Sequence, residues 1–85
     1  MQDVLARVQK AFSSVFEVEP GSVTINTAPG DIRAWDSMGH VTLASSLEQE
    51  FGVTFDVDEL MEMENVREIV RILQAKLASA HKAVT

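Results

Sequence analysis

Apolar residues in this chain recur mostly three and four apart, the spacing of helices with one buried face. Val4, Leu5, Val8, Phe12, Val15 and Phe16 predict a first helix over residues 3–16, which Pro20-Gly21 keeps from continuing. Residues 17–36 then hold Pro20, Gly21, Pro29 and Gly30 together with Val18, Val23, Ile25, Ile32 and Trp35. That mixture predicts a long loop pinned across the helices by apolar side chains, and a loop of this length in a small domain is often functional. A second helix is expected over 37–51, ending at Gly52, a residue suited to the left-handed position after a helix. Val53 and Phe55 read as an extended anchor.

Asp56 with Glu59 three residues on forms a capping-box pattern for a short third helix over 57–63, with Leu60 and Met63 on its buried side. Asn65 and Glu68 repeat the device for a fourth helix over 66–78, where Val66, Ile69, Val70, Leu73 and Leu77 form the apolar stripe. Residues 79–85 lack periodicity and are expected to fray. The fold class is therefore all-α: a small four-helix bundle of three main helices and a short third one, with a long loop between the first two. Eighty-five residues form one such domain, with no room for a second core.

At about 100° per residue, Leu43, Ala44, Leu47 and Phe51 share one arc of the second helix, with Val41 at its edge. Met38 falls nearly opposite, beside Thr42, Ser45 and Gln49. An exposed methionine at this place reads as an adaptable partner contact.

Charge sharpens the picture. The net charge is −6, and Asp36, Glu48, Glu50, Asp56, Asp58, Glu59, Glu62 and Glu64 follow one another with no Lys or Arg between them. Such a stretch repels nucleic acid and anionic lipid and attracts basic protein surfaces, or it serves simply as a solvated face. Cysteine is absent, which removes disulfides, thiolate nucleophiles and thiolate metal sites. Asp3, Arg7 and Lys10 interrupt the first apolar stretch, so a signal peptide is not expected. No apolar run is long enough for a bilayer, and the expected location is the cytoplasm.

The candidate chemistry centres on Asp36-Ser37-Met38. Asp36 reads as a helix N-cap, and Ser37 falls at the first helical position with its hydroxyl free to point outward. A serine there either starts a helix or is a handle for covalent modification. Asp36, Ser37 and His40 also invite comparison with a hydrolase triad. No G-x-S-x-G elbow is present, however, and an acid adjacent to the serine is badly placed to orient a histidine three residues onward. His40 faces the core arc and is expected to close the top of the bundle or bond the loop; His81 is expected at the surface. No Asp-x-Asp-x-Asp-Gly loop or glycine-rich phosphate loop occurs, and no metal site is expected.

Helix count, long loop and D-S-M together resemble the acyl carrier protein family, from about Val4 to Leu77. The stretches Trp35-Asp36-Ser37-Met38-Gly39-His40-Val41 and Leu47-Glu48-Gln49-Glu50-Phe51-Gly52-Val53 carry the resemblance most strongly. It implies a non-enzymatic carrier whose Ser37 is esterified with 4′-phosphopantetheine taken from coenzyme A by a phosphopantetheinyl transferase. The arm's terminal thiol then holds acyl groups as thioesters for lipid, polyketide or related biosynthesis. It further implies Asp36 as motif neighbour of the cofactor site, and Met38, Val41, Glu48, Glu50 and Met61 as contacts for loading and transfer enzymes with basic docking surfaces. No nucleic acid, no membrane insertion and a monomer complete the expectation. Thr42 and Met61 stand where relatives often carry acids, and Ser45 where they often carry an apolar residue, which suggests a specialised carrier. D-S-M-G is also compatible with D-alanyl or peptidyl carriers. An unmodified acidic interaction module is the alternative from a different class.

Overall fold

In the computed structural model, which describes residues 4–84 and the side chains of residues 4–78, four α-helices and two short 3-10 turns follow one another without a strand among the described residues. Helix α1 spans Val4–Phe16, α2 Ser37–Phe51, α3 Val57–Glu62 and α4 Val66–Val84.

Each helix forms where an apolar face and a terminal device coincide. On α1 the buried residues are Val4, Val8, Ala11, Phe12 and Phe16. The helix stops before Pro20 is reached: Glu17 takes a left-handed φ of 58° and returns its N–H to the Ser13 carbonyl. That position usually favours glycine; the helix ends at residue 16, where the sequence pattern placed it. Helix α2 starts on Asp36, whose carboxylate accepts from the Gly39 N–H at 2.8 Å. It ends on Gly52, left-handed at φ 67°, which donates to the Glu48 carbonyl. The capping box of α3 is complete: Asp56 accepts from the Glu59 N–H at 2.8 Å, and the Glu59 carboxylate accepts from the Asp56 N–H at 3.0 Å.

Three expectations are corrected at element ends. Helix α3 closes at Glu62, and Met63, expected inside it, is the buried residue just past its end. At the start of α4 only half of the expected device forms: Asn65 accepts from the Glu68 N–H, while the Glu68 carboxylate turns to Arg71 at 2.7 Å. The same helix continues to Val84, well past residue 78. Alanine-rich sequence without glycine or proline sustains a helix even where no apolar stripe guides it. Asp3 and Thr85 from the expected first helix and tail, and the side chain of His81, lie outside the described residues.

The core joins α1, the loop, α2 and α4 through fully buried Val8, Phe12, Val23, Leu43, Leu47, Val66, Ile69 and Leu73, with Leu60 of α3 partly buried against it. The loop over residues 17–36 crosses it, held by Val23, Ile32 and Trp35, with Val18 partly buried against the core. Ile25, expected as a pin, is instead 37% exposed. Its contribution comes from the backbone: the carbonyls of Thr27 and Ile25 accept the Val66 and Arg67 N–H groups at 2.9 and 3.0 Å. The loop thereby satisfies two of the donors that open α4 and would otherwise lack partners. A packed all-helical bundle thus fixes both ends of the loop that leads into Ser37.

Candidate functional site

Trp35 sets the geometry at the start of α2. Its indole is buried, edge-on to Phe12 with ring centroids 4.9 Å apart, and meets the His40 imidazole edge to edge, the two rings within 15° of parallel and their centroids 6.1 Å apart. The indole N–H donates to His40 Nδ1 at 2.8 Å. An indole only donates, so Nδ1 is the acceptor and Nε2 carries the ring proton. That proton is directed at the Leu60 carbonyl, 2.9 Å away near the end of α3. His40 therefore ties the loop to α3 with both nitrogens and has none left to serve as a base for Ser37. This is the bonding role expected for it, extended to a second element.

Gly39 is the other fixed point. A methyl group placed there would overlap the Ala34 carbonyl oxygen and press on the Phe16 ring. The loop can approach α2 this closely only where the helix carries no side chain.

Ser37 is exposed and opens α2. Among the described residues its hydroxyl makes no hydrogen bond, and the N–H groups of Ser37 and Met38 have no partner, since Asp36 satisfies those of Gly39 and His40. The residue sits on the rim of a cavity of about 560 Å³ between α2 and α3, lined also by Trp35, His40, Val41, Val57, Leu60 and Met61. A phosphate ester at this serine would lie at the positive end of a fifteen-residue helix with free N–H groups beside it. The residues present thus fit such a group. Trp35 and His40 shape the wall behind Ser37 but were legible in the sequence only as an apolar pin and a core-facing histidine.

The expected partner contacts divide into two sets. Met38, Val41 and Met61 stand exposed, at 81%, 63% and 71%, and Val41 and Met61 line the cavity. Glu48 and Glu50, expected beside them, are engaged within the chain. A Glu48 carboxylate oxygen accepts the Phe55 N–H at 2.9 Å. Glu50 pairs with Arg7 at 3.1 Å, and that guanidinium also bonds the Glu50 carbonyl and lies 4.2 Å over the Phe51 ring. Two further acids of the stretch are similarly occupied: Glu59 meets Lys76 at 2.9 Å and Glu62 meets Arg71 at 3.6 Å. Among the described residues no group of three His, Asp or Glu side chains could hold a metal ion, and no helix is long and apolar enough to cross a membrane.

Comparison with known proteins bears on this geometry. A family profile described as "Phosphopantetheine attachment site" matches residues 6–73. The chain is 31% identical over 83 residues to an acyl carrier protein homolog of Mycoplasma genitalium, covering 96% of this chain and 95% of that protein. It is similar to an acyl carrier protein of Phenylobacterium zucineum at 29% identity over 79 residues, covering 93% of this chain and all of the relative. A non-reducing polyketide synthase of Emericella nidulans is 29% identical over 83 residues; the match covers 98% of this chain but 3% of that much longer protein.

Proposed function

From the premise that the chain belongs to the phosphopantetheine-attachment family of acyl carrier proteins, we propose that Ser37 bears the arm and that the protein presents acyl thioesters to enzymes of lipid or polyketide biosynthesis. Family membership makes it a carrier and not an enzyme, with a covalently bound 4′-phosphopantetheine and dealings with a phosphopantetheinyl transferase and biosynthetic enzymes. The arm supplies the thiol that a cysteine-free chain lacks.

One observation carries the assignment to Ser37: its exposed hydroxyl is unpartnered at the start of a capped helix, beside free N–H groups. Asp36 holds the first turn so that the serine is presented without being bonded. The partly exposed half-turn between Trp35 and Met38 gives a transferase room to reach it. Met38, Val41 and Met61 are the proposed contacts for such enzymes. The protein works as a monomer in the cytoplasm, its excess of acids keeping it from nucleic acid and anionic lipid. Relatives named acyl carrier protein and polyketide synthase support the acyl-carrying role.

The absence of cysteine makes the test clean. Incubated with coenzyme A and a broad-specificity phosphopantetheinyl transferase and then freed of small molecules, the protein should show one titratable thiol per chain. Ser37→Ala should show none. A wild type that stays thiol-free would refute the carrier reading and favour an unmodified interaction module.

A further inference from the structure

Sulfur is unevenly placed in this chain. Its four methionines are Met1, Met38, Met61 and Met63, and it has no cysteine. Among the described residues Met63 is buried in the core at 3%, whereas Met38 and Met61 stand open at 81% and 71%. In a chain without a thiol, thioethers are the groups that give an electron pair to peroxide most readily. Access to the sulfur then decides which of them reacts.

Both open sulfurs belong to the surroundings of Ser37. Met38 follows it in the first turn of α2, and Met61, on α3, lines the cavity on whose rim Ser37 sits. Neither side chain holds the fold. Helix α2 packs through Leu43, Ala44, Leu47 and Phe51, and α3 is held by its capping box and the Glu59–Lys76 pair. The Thr42 hydroxyl bonds the Met38 carbonyl and not its sulfur. A polar group added at either sulfur therefore alters this surface while the core stays packed. Met63 differs, because oxygen added there would have to enter the core.

We propose that Met38 and Met61 form a reversible oxidation site: hydrogen peroxide converts both thioethers to sulfoxides, and the carrier is then loaded poorly until a reductase restores them. In each oxidation a sulfur lone pair attacks one peroxide oxygen, the S–O bond forms and the O–O bond breaks. The departing hydroxide takes the remaining proton and leaves as water; sulfur loses two electrons and peroxide gains them. In the reverse step two thiols of the reductant become a disulfide, and the sulfoxide oxygen leaves as water. Oxidation exchanges a flexible apolar side chain for a polar, chiral one, at two of the three residues proposed above to meet partner enzymes. The inference rests on that reading and on Ser37 as the tether, because a sulfoxide hinders loading only where the transferase covers it.

The experiment treats the chain with hydrogen peroxide before the arm adds a thiol of its own, and removes the peroxide with catalase. Fragmentation should place oxygen on Met38 and Met61 at least about tenfold faster than on Met63. The oxidised protein should melt within about 3 °C of the untreated one. Its kcat/KM for loading from coenzyme A by an untreated broad-specificity phosphopantetheinyl transferase should fall about fivefold or more. The two epimer-specific methionine sulfoxide reductases with dithiothreitol should restore it. The double variant Met38→Leu/Met61→Leu should load within about twofold of the untreated wild type and lose nothing on peroxide treatment. It keeps Met1 and Met63, so a loss in that variant would place the effect elsewhere and overturn the proposal. Oxidation of Met63 as fast as Met38, undiminished loading of the oxidised wild type, or no recovery with the reductases would also overturn it. An untreated wild type that takes up no arm would strike the Ser37 assignment and this proposal together, whereas loading indifferent to oxidation strikes the proposal alone.

Discussion

At the residue scale, Ser37 and His40 stand three positions apart and do opposite work. The Ser37 hydroxyl is unpartnered among the described residues, so its removal subtracts nothing from the fold. His40 joins the buried Trp35 indole to the Leu60 carbonyl. Truncating it leaves a buried N–H without an acceptor, a loss of about 2 kcal/mol. His40→Ala should therefore melt roughly 10 °C below the wild type, while Ser37→Ala melts within about 2 °C of it. The reverse order in thermal denaturation followed by circular dichroism would contradict both assignments. The residue pattern alone placed His40 on the inner arc of its helix. The indole that meets it comes from a loop whose path no periodicity encodes, so the pair became visible only in three dimensions.

At the element scale, α3 is six residues long and has no fully buried side chain within its bounds. A helix this short is not stable by itself. It depends on its capping box, on the His40 bond at its far end and on the Glu59–Lys76 pair that ties it to α4. Glu59 serves two of these three. Glu59→Ala should cost about 1 kcal/mol, seen as roughly fivefold faster amide exchange over residues 57–62. Glu59→Gln, which still caps, should lose less than half of that. Equal exchange in wild type and Glu59→Ala would mean that packing alone holds α3. The caps of α2 and α3 were legible because Asp and Gly act through their own backbone neighbours. The end of α4 was not, because helix propensity carried it beyond its apolar stripe. That of α1 falls at residue 16 as expected, through a left-handed Glu17 and not through the proline. The inner and outer arcs of α2 were legible in full: Leu43, Ala44, Leu47 and Phe51 are buried, while Met38, Thr42, Ser45 and Gln49 are exposed.

At the scale of the whole molecule, a small bundle holds Ser37, the proposed attachment residue, in the open, on a junction braced from three sides. Loop, α2 and α3 meet there through Trp35, Gly39 and His40. A carrier needs this division: a rigid platform, a free hydroxyl, and a surface that partners can cover and leave. The net charge of −6 is read directly from the sequence, but its distribution is not. Linear order placed eight acids together with no cation, whereas the fold brings Arg7, Arg71 and Lys76 to them from α1 and α4. Long-range ion pairs of this kind leave no mark in a linear pattern. The identity of Ser37 as the tether is the claim on which the rest depends, and mass spectrometry tests it most directly. After incubation with coenzyme A and a broad-specificity transferase, the intact chain should gain the mass of one phosphopantetheinyl group. Fragmentation should place that mass on Ser37. An unchanged mass, or a gain that fragments to another serine and persists in Ser37→Ala, would contradict the account.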